Sequence, residues 1–175
     1  MQWIFDDVQA WIDNPEGSKL YWLCGSGGTG KSVVAAVALR EFSEHIVGYH
    51  FCRHNFPKES DPVALLKSLC AYLCAHVTGF VEALTKVNGQ NLRKYVAEGS
   101  STEMVFKKLI QQPLGYPSVK TKEKVQFIVL DALDEIPRHA LGAFLEVTPP
   151  YFSLELRLVM CSYPLGEGYG KEKDR

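Results

Sequence analysis

The run Gly25-Ser26-Gly27-Gly28-Thr29-Gly30-Lys31-Ser32 fits the pattern G-x-x-x-x-G-K-[ST] at every position. No other feature of the chain limits its fold so tightly. Such a loop works only between a strand and a helix. Glycines let the backbone turn with its N–H groups inward, and the helix then points its positive end at the same anion. The flanking sequence supplies both neighbours. Lys19–Cys24 is an apolar, aromatic-rich run that reads as a buried strand, and Lys31 to about Ser43 has helical character. The expectation is a phosphate cradle over Gly25, Ser26, Gly27, Gly28, Thr29, Gly30, Lys31 and Ser32. Lys31 would reach the outer phosphates, and the Ser32 hydroxyl would ligate Mg²⁺.

A phosphate loop of this kind needs an acid at the end of a neighbouring strand. Val125–Leu130 is the most strand-like segment of the chain and ends in Asp131, placed to hold Mg²⁺ through water. Asp134 and Glu135 follow, where an acid can orient or deprotonate an attacking water. Acids are also favoured at the start of a helix by its dipole alone, and the sequence leaves both readings open for these two.

The remaining segments alternate. Ile4, Val8, Trp11 and Ile12 predict an amphipathic helix over residues 3–12, and Asp13–Ser18 breaks it. Ile46–Cys52 reads as a strand. Asp61-Pro62 reads as the N-cap and first turn of a helix that buries Leu66, Leu69, Cys70, Leu73 and Val77. Residues 79–122 are less legible: a helix over Ser101–Gln111, then an exposed loop over Gln112–Pro117 and Lys120–Lys124. A helix near 138–146, a Pro149-Pro150 break and a strand over Leu156–Cys161 complete the pattern, before a polar tail from Gly166. Strands alternating with helices imply a parallel sheet covered on both faces.

Composition excludes other classes. A formal net charge of −1 steers the chain toward neither nucleic acid nor an anionic membrane. No apolar run is long enough to span a bilayer, and Asp6 and Asp7 interrupt the first segment where a signal peptide would need apolar residues. Five cysteines, most inside apolar runs, read as reduced thiols of a cytoplasmic protein. Cys52-x-His54 and Cys70-x-x-x-Cys74-x-His76 hold metal-ligand types without a C-x-x-C pair, and read as core. Arg53, Arg138 and Arg157 read as solvated surface residues rather than as fingers for a neighbouring subunit. No N/T-K-x-D signature follows a strand, which favours ATP over GTP.

Together, WLCGSGGTGKS (Trp22–Ser32) and FIVLDALDE (Phe127–Glu135) resemble the NACHT domain of the STAND group of P-loop switch ATPases. In the second motif a small residue follows the metal aspartate and an acidic pair comes two positions later. GYHFCRHN (Gly48–Asn55) and DPVALLKSLCAYL (Asp61–Leu73) are also similar to NACHT segments. The resemblance covers roughly residues 20–163. It implies an α/β three-layer sandwich of the ASCE or AAA+-like kind, with LRLVMC as the strand between the P-loop strand and the Asp131 strand. It divides the chain into an N-terminal helix and linker (1–18), a nucleotide-binding domain (19–165) and a polar tail (166–175). It implies ATP with Mg²⁺, hydrolysis that the departure after the fourth strand makes slow, and protein partners or self-association. A chain ending here would lack the lid and winged-helix regions and would form part of a larger protein. Such domains often carry Ser or Thr, then Arg and Pro, after the fourth strand. Here the order is Ser162-Tyr163-Pro164, and Tyr163 cannot stabilise phosphoryl charge as an arginine does.

Overall fold

The computed structural model describes residues 2–14, 16–56, 58–97, 99–120, 125–147 and 156–162. Tyr163, Pro149-Pro150, Thr121–Lys124 of the lysine-rich loop and the tail after Gly166 lie outside the described residues.

Four strands form one sheet in the order β1 (Leu20–Cys24), β4 (Leu156–Ser162), β3 (Gln126–Asp131), β2 (Ile46–Phe51). Every pairing is parallel. The strand LRLVMC therefore does lie between the P-loop strand and the strand that ends in Asp131. β3 is buried along its whole length, as expected of a strand covered on both faces. Its side chains alternate across the sheet. Phe127 and Val129 join one cluster, with Ile4, Val8 and Ile12 of α1 (Gln2–Asp13) and Val34, Ala35 and Ala38 of α2 (Lys31–Glu41). Ile128 and Leu130 join a larger cluster on the opposite face, with Leu65, Leu66, Leu69 and Leu73 of α3 (Pro62–His76). The chain is thus an α/β structure with helices on both faces of a parallel sheet.

Local chemistry explains most of the boundaries. Asp61 caps α3, its carboxylate accepting from Val63 N at 3.2 Å and Ala64 N at 3.1 Å, with Pro62 in the first turn. Leu66, Leu69, Cys70, Leu73 and Val77 are all buried, as the spacing predicts.

Three expectations need correction. β1 is an edge strand among the described residues, with Trp22 and Cys24 exposed, because its far side carries no described neighbour. The illegible middle is helical: α4 (Phe80–Asn88), α5 (Leu92–Val96), then α6 (Thr102–Phe106), a π turn (Lys107–Gln111) and α7 (Gln112–Leu114). Gln112–Leu114 therefore continues the helix instead of opening a loop. A π turn disturbs the regular backbone bonding, and the buried Asn88 amide donates to the Lys108 carbonyl at 2.9 Å. Third, Arg157 is not at the surface. It is 1% exposed, and its guanidinium donates to the carbonyls of Trp11 and, at 2.6 Å, Asn14. It also lies 5.0 Å from the centre of the Trp11 ring. The side chain of Arg138, at the start of α8 (Arg138–Val147), lies outside the described residues.

Of the cysteines, Cys52, Cys70 and Cys161 are buried, Cys74 is half-buried and Cys24 is exposed. Among the described residues no helix is long and apolar enough to cross a membrane.

Candidate functional site

The glycine-rich loop leaves β1 at Cys24 and is tied at once to the neighbouring strand, Gly25 N donating to the Ser162 carbonyl at 3.3 Å. Gly28 (φ 74°) and Gly30 (φ 87°) occupy the left-handed region, which other residues enter at a cost of about 1–2 kcal/mol. Thr29 Oγ1 donates to the Ser26 carbonyl at 2.8 Å. Lys31 folds back across the loop, its Nζ donating to the carbonyls of Gly25 at 2.7 Å and Ser26 at 2.9 Å. The first regular bond of α2 is Val34 N–H to the Gly30 carbonyl, at 3.0 Å. A helix start leaves N–H groups without intrahelical partners, directed at whatever lies before it.

Asp131 stands at the carboxyl end of β3, 2% exposed. Burial pushes its carboxyl pKa up. A hydrogen bond from the Ser32 side chain, the Ala132 N–H and the Lys31 charge oppose the rise, and Asp134 adds to it. The structure therefore brings Lys31, Ser32 and Asp131 together from two elements far apart in sequence. Asp131 Oδ1 is buried with no hydrogen-bond partner among the described residues. Most buried polar atoms find a partner, so this oxygen calls for an explanation.

The chain turns sharply after Asp131. Ala132 has φ 55° and ψ 42°, and no other non-glycine residue among those described has positive φ. Backbone strain of this kind collects at functional sites, and it accounts for a small residue here: a β-branched one would fit poorly. A single turn of 3₁₀ helix, Leu133–Glu135, follows. Leu133 is fully buried in the larger core, while Asp134 and Glu135 stay half-exposed on the rim. These acids do not open an α-helix, because α8 begins only at Arg138.

Sequence reasoning misses His54 as a partner of Glu135. Glu135 Oε2 accepts from the His54 main-chain N–H at 2.5 Å and lies 3.2 Å from His54 Nδ1. The sequence offers His54 only as a partner for Cys52. The signal that would have found it is its place just past the carboxyl end of β2, on the same edge as the P-loop. Ser162, at the end of β4, is fully buried and its Oγ accepts from Trp22 Nε1 at 2.9 Å.

Cys52 reports on the whole acidic rim. Its thiol is pushed up to about 12, first by burial and then by Glu135, Asp131, Asp134 and Glu59. All four acids therefore lie within electrostatic reach of one buried sulfur, which stays protonated at neutral pH. The carboxyl edge of the sheet thus gathers a glycine-rich loop, one lysine and several carboxylates.

The family described as Nephrocystin 3, N-terminal, matches the chain over residues 1–161. Among curated proteins nothing matches it.

Proposed function

The chain belongs to the nephrocystin 3 N-terminal family, and from that premise we propose that it is a nucleotide-dependent switch domain of the NACHT type. It binds ATP with Mg²⁺ in the Gly25–Ser32 loop, hydrolyses it slowly, and sets the state of a larger protein. GTP is the less favoured nucleotide. The observation that carries the reading is the buried Asp131 carboxylate, with an unpartnered Oδ1 beside the Ser32 side chain. A carboxylate and a hydroxyl are hard oxygen donors suited to Mg²⁺, and the orphaned oxygen is the feature such an ion would satisfy.

Each group then has a role. The loop amides and the start of α2 take the phosphate oxygens. Lys31 exchanges its carbonyl contacts for the outer phosphates. Ser32 and Asp131 hold the metal, which when bound neutralises charge on the phosphates. Asp134 and Glu135 are the candidate acids for water, and the Glu135 carboxylate is held by His54. The match between WLCGSGGTGKS, FIVLDALDE and NACHT motifs supports the family-level detail, including an ASCE-like sheet.

One observation favours a second reading, a module that binds nucleotide without turning it over. Tyr163 follows Ser162 where related domains carry arginine. Single-turnover hydrolysis of labelled ATP separates the two. The expected result is Mg²⁺-dependent binding, seen as thermal stabilisation, with slow release of phosphate. Binding with no phosphate release selects the second reading, and no stabilisation by Mg–ATP overturns both.

A further inference from the structure

Both hydrogen bonds to Glu135 Oε2 come from one residue, His54. The ring contact is a donation from Nδ1 in the tautomer that carries its proton there. The position of His54 is not left to a free loop. Cys52 N–H donates to the Asp131 carbonyl at 3.0 Å, which extends the β2–β3 ladder past the Phe51–Asp131 pair. Further along, the His50 ring bonds the Glu59 carbonyl at 2.9 Å, and Phe56 N–H closes a turn onto Arg53. Glu135 is fixed from its own side by the buried Leu133 and by its N–H to the Ala132 carbonyl at 2.9 Å. An ion pair between two freely moving side chains contributes little. Here one donor is main chain, and the two partners follow the carboxyl ends of the neighbouring strands β2 and β3.

We infer that His54 is a positioning residue for the attacking water: it holds Glu135 through Oε2 and leaves Oε1 to take the proton. This rests on the hydrolytic reading above. In the step, one water proton passes to Glu135 Oε1 while the water oxygen bonds the γ-phosphorus. The bond from that phosphorus to the β–γ bridging oxygen breaks, and its electron pair leaves with ADP. His54 touches neither water nor nucleotide; it removes the rotational freedom of the carboxylate that does.

The test measures single-turnover rate and Mg–ATP affinity for the whole chain and for His54→Ala, His54→Asn and Glu135→Gln. His54→Ala keeps the main-chain bond and loses the ring bond, and should slow the step about tenfold without changing affinity. His54→Asn, whose amide nitrogen can stand where Nδ1 stands, should recover most of the rate. Adding His54→Ala to Glu135→Gln should cost nothing further, because the two act as one unit. An unchanged rate in His54→Ala, with Glu135→Gln inactive, overturns the inference and leaves the functional reading standing. So does a rate loss that Asn does not rescue, or one accompanied by weaker binding or a lower Tm, which marks a purely structural stitch. Mg–ATP binding without any wild-type turnover overturns the hydrolytic reading, and the role of His54 with it.

Discussion

Two ends of the same sheet each hold a buried charge, and they treat it in opposite ways. Near the amino end of β4, Arg157 is 1% exposed and closely held. Two carbonyls at the end of α1 accept from it, and the Trp11 ring lies against it. At the carboxyl end of β3, Asp131 is 2% exposed and keeps one oxygen without a described partner. Burying a charge is costly at either place. Arg157 meets that cost with local bonds, which is how a cation closes the end of a helix. Asp131 leaves part of it unmet, which suits a residue whose partner arrives from outside. The difference separates structure from function more sharply than burial alone.

The largest expected effect lies at the structural end. Arg157→Ala takes a donor from the Trp11 and Asn14 carbonyls, opens a cavity, and loosens the end of α1 against the sheet. Chemical denaturation should show a loss of about 4 kcal/mol. Nucleotide affinity of the folded fraction should not change. If affinity falls while stability holds, the contrast between the two ends is wrong.

Lys31→Ala probes the other end. Removing a charged partner of the phosphates should weaken Mg–ATP binding by about a hundredfold. The apo Tm should move little, because the Lys31 ammonium donates to two carbonyls of a largely exposed loop. A variant that keeps the wild-type thermal shift with ATP would remove the phosphate assignment.

Asp131→Asn sharpens the comparison with the smallest change. Binding should persist through the loop amides but lose its Mg²⁺ dependence, as read by titrating ATP with and without the ion. Its stability should also depend on pH in a defined direction. Burial raises the folded-state carboxyl pKa above its ordinary value of 3.8, so the ionised form is disfavoured in the folded state. The penalty is absent below the ordinary value and grows as pH rises through the window up to the raised one. At neutral pH and without metal the Asn variant should therefore be the more stable protein, with the difference vanishing in acid. A less stable variant at neutral pH would mean that Asp131 holds the fold together as Arg157 does.

Much of this is legible in the residues themselves, and the reason is range. The Gly25–Ser32 loop, the Asp61 cap of α3 and the strand ending in Asp131 are written in residues that act on their immediate neighbours. Positive φ needs glycine, a helix start needs a side-chain acceptor, and a buried strand needs an unbroken apolar run. The two faces of β3 follow from alternation in the same way. Residues 79–122 were less legible because their helices are short and interrupted by a π turn, so no clean period survives.

What the tertiary structure decided lies in pairings across long stretches of chain. Nothing near Arg157 announces that it will be buried against the end of α1, since its partners lie 146 and 143 residues away. Nothing in the motif around Glu135 names His54, which arrives from another strand end 81 residues earlier. The apolar run of β1 reads as buried, yet the described sheet leaves one of its edges open, because burial belongs to the neighbours a strand acquires. The turns, caps and strand ends that a phosphate site requires follow from residues acting on their chain neighbours. Only the assembled sheet decided which distant side chains meet there, because long-range contacts depend on how elements dock and leave no local periodicity to read.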